Sequence, residues 1–212
     1  MRFWMTLHVT VELVNVGKNY NCKTVFQGVN ALIGPGRCLG ITGPNGSGKT
    51  TLLNLIAGIE QPSEGYICMR GTQGEIKHRE IVGYVGMVSP QIRFYDAMTG
   101  VENIMFFSYC SRRNCNVKQV QEVCRKVGLG GCSHQLVSTY STGMKQRLKL
   151  AIVLLLQPAL WLLDEPSSNL DASGKELVEE SMTRALQDGA TVIVATNEGW
   201  ESRHASEQIT LI

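Results

Sequence analysis

A short stretch of the sequence combines glycines, a lysine and a threonine at the spacing that binds phosphate. Residues 43–50 read Gly-Pro-Asn-Gly-Ser-Gly-Lys-Thr and fit the pattern G-x-x-x-x-G-K-[ST] in full. Glycines are needed because consecutive backbone N–H groups must curl around phosphate oxygens without interference from side chains. Lys49 supplies a point charge for the β- and γ-phosphates, and the Thr50 hydroxyl can bind Mg²⁺. The predicted phosphate-binding residues are Gly43, Pro44, Asn45, Gly46, Ser47, Gly48, Lys49, Thr50 and Thr51.

An apolar segment further along the chain ends in two adjacent acids. Residues 160–165 read Leu-Trp-Leu-Leu-Asp-Glu. Parallel sheets carry their ligand sites at the carboxyl ends of strands, so Asp164 is expected to organise Mg²⁺ and Glu165 to orient or deprotonate an attacking water. Adjacent strand residues point to opposite faces, which lets two carboxylates take different roles. A charge pair that merely ends a strand is the alternative, and the phosphate loop upstream favours the catalytic interpretation.

The elements that must position these residues alternate between strands and helices. Alternation and Val-rich composition predict strands at 7–16 and, more weakly, at 25–33, followed by a turn at 34–36. Further strands are expected at 38–42, 81–88, 160–163 and 191–196, with helices at 49–57 and 173–187. The phosphate loop thus follows a strand and opens a helix, which a glycine-rich turn without a ligand does not require. This order predicts an α/β fold with a mainly parallel sheet covered on both faces.

Helical signals dominate between residues 91 and 157, where helices are expected at 100–110, 118–127 and 142–156. The 212 residues therefore suit one domain, in which 1–90 and 158–212 form the β part and the phosphate-binding core and 91–157 form a helical insert. Segment 91–107 is rich in apolar and aromatic residues. That composition suits either a groove for a partner's helix or the interior of the insert itself.

Composition argues against two classes of protein. A formal net charge of only +2, with scattered Lys and Arg, is not typical of a nucleic-acid binder. The longest apolar run, 150–156, is far shorter than the roughly 20 residues of a membrane-spanning helix. The seven Cys lack C-x-x-C pairs and zinc-finger spacing, which favours reduced thiols over a metal site. We therefore expect a cytoplasmic protein, unless a partner carries it to a membrane.

Residues 140–147 indicate which phosphate-binding family the chain resembles. They read Tyr-Ser-Thr-Gly-Met-Lys-Gln-Arg and end 17 residues before Asp164. This segment resembles the ABC signature, usually Leu-Ser-Gly-Gly-Gln followed by a basic stretch. Ser141 and Gly143 match that pattern, whereas Thr142 replaces a glycine and Met144 a glutamine.

Other landmarks of the ABC transporter ATP-binding subunits fall in the same order. Gln91, in Ser-Pro-Gln, resembles the Q-loop glutamine, and Tyr20 resembles the aromatic residue that stacks on adenine. Residues 168–171, which end in Asp171, resemble the D-loop. The resemblance covers nearly the whole chain, from residue 7 to about residue 197. In length the chain is similar to the short cassettes of the cytochrome c maturation haem exporter and related exporters.

The resemblance implies a fold and a cofactor set. The fold would be a P-loop NTPase core with a mainly parallel sheet, an N-terminal antiparallel β part and a helical insert that carries the signature. ATP and Mg²⁺ would bind, with Thr50, Gln91 and Asp164 at the metal and Glu165, Asn197 and Gln91 in catalysis. Tyr20, Ser141, Gly143 and Asp171 would complete the ATP site.

The family also implies partners. Two cassettes pack head to tail, so each ATP lies between the phosphate loop of one copy and Ser141 and Gly143 of the other. We expect a second copy or a paralogous cassette, together with integral membrane subunits, at the inner face of the cell membrane. A soluble ABC-type ATPase that acts on nucleic acid or ribosomes is the alternative.

A further departure from the family pattern lies near the carboxyl end of the resemblance. Asn197 follows a predicted strand and stands where the family usually has its switch histidine. Asn can donate an N–H to a phosphate, but it cannot exchange a proton near neutral pH as His does. An active but slow ATPase is therefore expected, and a regulatory module that binds nucleotide and hardly turns over remains a further interpretation.

Overall fold

Two β-sheets, one antiparallel and one parallel, form the frame of the protein. The computed structural model describes residues 8–21, 23–111, 113–197 and 201–212. The antiparallel sheet has the strand order β2-β1-β4-β5, with β1 (Thr10–Tyr20), β2 (Lys23–Ile33), β4 (Glu64–Gly71) and β5 (Gly74–Glu75). The parallel sheet has the order β6-β7-β8-β3-β9, with β3 (Cys38–Thr42), β6 (Val85–Val88), β7 (Leu160–Asp164), β8 (Thr191–Ala195) and β9 (Glu207–Thr210).

The antiparallel sheet forms because β1 alternates apolar and polar residues. Val11 and Leu13 face the core, and Val11 pairs with Ile33 on one side and with Met69 on the other. The predicted strands at 7–16 and 25–33 are found as β1 and β2, both longer at one end than expected. Leu7, where the first prediction began, lies outside the described residues. The sequence did not predict β4 or β5.

The parallel sheet is covered by helices on both faces. Helix α1 (Lys49–Ile56) packs on one face, where Leu52 and Leu53 share a core with the antiparallel sheet. Helix α5 (Ala172–Gln187) packs on the other, through Val178 and Met182 against Trp161. Strands β7 and β8 are buried along their whole length, as continuous apolar strands of a covered parallel sheet should be. The predicted α/β class with a mainly parallel core sheet is confirmed.

One predicted strand is partly wrong. Residues 81–83 belong to a short 3₁₀ helix (His78–Gly83), and strand β6 begins only at Val85. The reason lies in the partner strand, because Val85 pairs with Leu160, the first residue of β7. Residues before Val85 have no strand to pair with, and they close a turn in which the Tyr84 N–H donates to the Ile81 carbonyl at 2.8 Å.

Three helices fill the chain between β6 and β7, which are neighbours in the sheet. These are α2 (Gly100–Cys110), α3 (Val117–Lys126) and α4 (Thr142–Leu156). Capping boxes at Thr99 with Glu102 and at Asn116 with Gln119 begin α2 and α3. Ile104, Val120 and Leu148 meet in a core of their own, separate from the cores against the parallel sheet. No helix within the described residues is long and apolar enough to cross a membrane.

Candidate functional site

The phosphate loop runs from the end of β3 to the start of α1 in a conformation that requires glycine. Gly43, Gly46 and Gly48 have φ values of 144°, 85° and 98°. A Cβ atom on Gly43 would lie 2.3 Å from the Leu211 carbonyl oxygen, and one on Gly48 would lie 2.5 Å from Val25. Side chains are therefore excluded by conformation and by packing, which leaves the backbone N–H groups of the loop free of side-chain cover.

The lysine of the loop lies inside it. The Lys49 ammonium donates to the carbonyl oxygens of Gly43 at 2.6 Å and Pro44 at 3.1 Å, and the residue is only 7% exposed. The Ser47 hydroxyl is buried in the same loop without a hydrogen-bond partner. A buried cation, an unpaired hydroxyl and the N-terminus of α1 together suit an anionic ligand such as a phosphate.

Two of the residues predicted to bind Mg²⁺ are in direct contact. The Thr50 hydroxyl donates to the Asp164 carboxylate at 2.7 Å, and the Ser89 hydroxyl reaches the same carboxylate oxygen at 3.4 Å. Burial raises the pKa of Asp164, an effect that the Thr50 hydrogen bond opposes. Mg²⁺ in nucleotide sites binds few protein ligands besides phosphate oxygens, so one hydroxyl and one carboxylate suit it.

Glu165 differs from its neighbour in conformation as well as in exposure. Strand β7 ends at Asp164, and Glu165 takes a left-handed conformation with φ of 46°. The expectation that both acids alternate on one strand is therefore wrong, because the chain turns between them. The Glu165 N–H still donates to the Ala195 carbonyl of β8 at 2.9 Å. Gln146 of α4 donates to the Glu165 carbonyl at 3.3 Å and to the Pro166 carbonyl at 2.8 Å, which holds the turn from the other side.

Gln91 lies between strand β7, which ends at Asp164, and helix α1. Its side-chain oxygen accepts from the Asn54 amide at 3.3 Å, and its N–H donates to the Ser89 hydroxyl at 3.3 Å. Since Ser89 also reaches Asp164, Gln91 is joined through Ser89 to the other two predicted Mg²⁺ ligands, Asp164 and Thr50.

Asn197 reaches the phosphate loop directly. It follows β8, and its side-chain amide donates to the Asn45 side-chain oxygen at 3.1 Å. Asn197, at the switch position, therefore lies at the phosphate loop, because β8 is a neighbour of β3 in the parallel sheet. Tyr20 ends β1 and is 45% exposed, with its hydroxyl donating to Glu60 at 2.5 Å.

The predicted signature and D-loop residues form a second cluster. Ser141 caps α4 by accepting from the Met144 N–H at 3.2 Å, and a Cβ on Gly143 would lie 2.9 Å from the Asn169 carbonyl. Asp171 caps α5, and the hydrogen bond from Arg147 at 2.5 Å is the main cause that lowers its pKa. Within the described residues, no hydrogen bond joins Ser141, Gly143 or Asp171 to the phosphate loop.

Sequence reasoning gave no role to several residues that contact the predicted ones, among them Asn54, Ser89, Glu60 and Gln146. Asn54 was recognisable as a polar residue among the buried leucines of α1, and Ser89 as a hydroxyl at a strand end. Glu60 offered no comparable signal, because its contact with Tyr20 comes from a distant part of the chain. Gln146 lies in segment 140–147, but its contact with Pro166 could not be read from that segment.

Comparisons with known proteins agree with this architecture. The family described as ABC transporter matches residues 26–168. The chain is 30% identical over 203 residues to the uncharacterized ABC transporter ATP-binding protein YdbJ of Bacillus subtilis, covering 95% of this chain and 66% of that protein. It is 31% identical over 186 residues to the cytochrome c biogenesis ATP-binding export protein CcmA of Nitrosospira multiformis, covering 88% of this chain and 90% of that protein.

Solved structures give the same result for the fold. The dimeric structure of the ATP-binding cassette MJ0796, in a post-hydrolysis state bound to ADP and Pi, superposes with a TM-score of 0.83 at 26% identity. That alignment covers 95% of this chain and 94% of the other. The chain spans slightly less than two thirds of YdbJ and of the related YhcH of Bacillus subtilis, at 66% and 63% of their lengths. From the family match, the relatives and the shared cassette fold it follows that the chain belongs to the ABC transporter family.

Proposed function

We propose that this chain is an ATP-binding and ATP-hydrolysing cassette that dimerises around two ATP molecules and drives membrane subunits. The observation that carries the proposal is the contact of Thr50 with Asp164 beside the buried Lys49. It joins a phosphate-binding loop to a carboxylate at a strand end, which is the pairing that Mg²⁺-dependent phosphoryl transfer needs.

The residues of the site take separate roles in this proposal. The N–H groups of residues 43–51 other than Pro44, together with the Lys49 ammonium, bind the β- and γ-phosphates, and Tyr20 stacks on the base. Thr50, Gln91 and Asp164 hold Mg²⁺, which when bound neutralises charge on the phosphate oxygens. The three proposed ligands are connected by hydrogen bonds, because Asp164 accepts from Thr50 and from Ser89, and Ser89 accepts from the Gln91 N–H. These contacts support the assignment.

Glu165 is the proposed base. Its carboxylate accepts a proton as the water oxygen bonds to the γ-phosphorus, and the bond to the β-phosphate oxygen breaks with ADP as the leaving group. The backbone bonds to Ala195 and from Gln146 hold Glu165 in its left-handed conformation. Asn197 donates to the γ-phosphate, for which it would exchange its contact with Asn45.

The second cassette supplies the remaining contacts. Ser141 is exposed at the N-terminus of the 15-residue helix α4, where helix N–H groups favour an anion. In the proposed dimer, Ser141, Gly143 and Asp171 of one copy complete the ATP site of the other. The dimeric state of the MJ0796 cassette supports this arrangement.

The proposed membrane partner, at the inner face of the cell membrane, would bind the outer side of α2. Segment 91–107 was expected to form either a groove for a partner's helix or the interior of the insert, and its side chains fall into both groups. Ile104 is fully buried and Phe94 packs edge-on against Phe107 at 5.9 Å, so both belong to the insert's own core. Tyr95, which precedes α2 and packs against its Phe106, is half exposed, and Tyr109, on α2 just beyond the segment, is 77% exposed. These exposed aromatic side chains suit a partner helix better than the inward-facing ones.

A binding and phosphate-release assay tests the proposed activity. Lys49→Ala removes the cation that faces the phosphates and should weaken ATP binding by about 2–5 kcal/mol. Glu165→Gln keeps the shape but removes the base, so binding should survive while hydrolysis falls by about 10²–10⁴. Lys118→Ala, at an exposed lysine of α3, is the matched control. Unchanged ATP affinity in Lys49→Ala, with Lys118→Ala also unchanged, would refute the phosphate-loop assignment.

A further inference from the structure

A cluster of polar side chains connects the ring of Tyr20 to helix α1. One carboxylate oxygen of Glu60 accepts from the Tyr20 hydroxyl at 2.5 Å and lies 3.1 Å from the Lys18 ammonium. The other oxygen accepts from the Asn54 amide at 3.4 Å, and that amide also reaches Gln91 at 3.3 Å. Glu60 is therefore the central acceptor of a group that includes residues at both ends of the proposed ATP site.

The backbone around Glu60 is fastened on both sides. The Ile59 N–H donates to the Asn54 carbonyl at 2.9 Å, which ties the loop to the end of α1. The Lys18 ammonium donates to the Gln61 carbonyl at 2.9 Å, and the Ser63 N–H donates to the Gly17 carbonyl at 2.8 Å. These bonds hold the loop against the end of β1, where Tyr20 is located.

The charges in the cluster support a defined orientation of the ring. The hydrogen bond from Tyr20 is the main cause that lowers the pKa of Glu60, and the same bond raises the pKa of Tyr20. At neutral pH a protonated phenol therefore faces an ionised carboxylate. The Lys18 ammonium lies over one face of the Tyr20 ring, 4.9 Å from its centroid, while the residue is 45% exposed and so offers surface to a base.

We propose that Glu60, assisted by Lys18, is a positioning residue that fixes Tyr20 as a platform for the nucleobase. Asn54 connects this platform to α1, the helix that begins with Lys49 and Thr50. The distance between the base platform and the phosphate loop is thereby set before ATP binds, which lowers the ordering cost of binding. This inference rests on the proposed function and adds to it a residue with no contact to phosphate.

A comparison of two ligands tests the role of Glu60. ATP uses the platform and the loop, whereas inorganic tripolyphosphate has no base and uses only the loop. Glu60→Ala should weaken ATP binding by about three- to tenfold, which is at most the effect of losing one hydrogen bond to a charged group. Binding of tripolyphosphate should be unchanged. Glu60→Gln, which retains an acceptor oxygen, should recover part of the loss. Glu122→Ala, at an exposed glutamate of α3, should leave the binding of both ligands unchanged.

Tyr20→Phe provides a second variant that keeps the ring and removes only the hydroxyl. If both residues act through their shared hydrogen bond, their effects are not additive. The double variant Tyr20→Phe/Glu60→Ala should then bind ATP no more weakly than whichever single variant binds ATP more weakly. Additive losses, equal losses for ATP and tripolyphosphate, or no loss in either single variant would overturn the inference. Lys49→Ala separates the two levels, because unchanged binding of both ligands there would refute the proposed function itself.

Discussion

Adjacent residues at the end of β7 show how environment separates two carboxylates. Asp164 is 3% exposed and accepts from Thr50 and Ser89, and burial raises its pKa. Glu165 is partly exposed and held by its backbone, which leaves its carboxylate available to a water. A buried carboxylate suits a cation, because the cation offsets the desolvation of the charged form. A more exposed one suits proton transfer, so the two environments agree with the two proposed roles.

Asn197 stands at the position where the resemblance to the family leads to the expectation of a switch histidine. Its amide already contacts Asn45 of the phosphate loop, so it is placed to donate to a γ-phosphate. Asn197→Ala should lose a charge-assisted hydrogen bond worth about 1.5–3 kcal/mol. Turnover should then fall by about ten- to a hundredfold. Steady-state phosphate release at saturating ATP measures this change.

Two further variants complete the Asn197 experiment. Asn197→His should hydrolyse ATP at least as fast as the parent, since imidazole can also bind the γ-phosphate. Asn114→Ala, at an exposed asparagine outside the site, should behave as the parent does. If Asn197→Ala hydrolyses ATP as fast as the parent, the residue takes no part in the reaction and the contact with Asn45 is structural.

Among the elements, helix α4 joins the signature segment to the catalytic turn. Ser141 begins the helix, and Gln146 donates to the carbonyl oxygens on either side of the Glu165–Pro166 bond. Arg147 donates to the Asp171 carboxylate and to the Ser173 hydroxyl at the start of α5. A displacement of the α4 N-terminus would therefore be transmitted to Glu165 and to Asp171. In the proposed dimer, that N-terminus faces the second ATP.

Elements with local signals could be predicted from the sequence, and those that depend on distant partners could not. Helices α2 and α4 were predicted at their observed bounds from their helical pattern, and in the structure both begin directly after a polar cap, at Thr99 and Ser141. Strands β4 and β9 were missed. Exposed residues make up half of β4 and most of β9, and the two strands form because they pair with β1 and β3, which are far away in the sequence. Within the site, the phosphate loop could be predicted from its sequence motif. The contacts of Glu60 and Gln146 could be found only from the tertiary structure.

The outward face of α2 leads to a prediction about membrane association. Tyr95→Glu combined with Tyr109→Glu places charges on the exposed side while leaving Ile104 and Phe107 packed inside. The variant should retain basal ATP hydrolysis but shift from the membrane pellet to the supernatant when expressed in its own cells. Tyr66→Glu, at a half-exposed tyrosine of β4, is the matched control. Equal membrane association of both variants would show that α2 is not the contact surface.

For the molecule as a whole, the proposed ATP site is divided between two clusters. The phosphate loop, Gln91, Asp164 and Asn197 form one, and the signature segment with Asp171 forms the other. Within the described part of the chain no hydrogen bond joins Ser141, Gly143 or Asp171 to the phosphate loop. A head-to-tail pair of chains would bring each loop to the other copy's signature, so that ATP itself contributes to the interface. Hydrolysis would then remove part of the interface and release the pair, which is how a chemical step can move attached subunits.

ATP should therefore hold two copies together as long as it is not consumed. Glu165→Gln with ATP and Mg²⁺ should elute at twice the monomer mass in size-exclusion chromatography with light scattering, and should return to the monomer mass with ADP. Adding Ser141→Arg to this variant places a bulky side chain at the α4 N-terminus. The double variant should still bind ATP through its own loop but remain monomeric, whereas Gln187→Arg, at an exposed end of α5, should not prevent dimerisation. A monomeric profile of Glu165→Gln at saturating ATP, or a dimer that persists with Ser141→Arg, would contradict an interface built from the loop of one copy and the signature of the other.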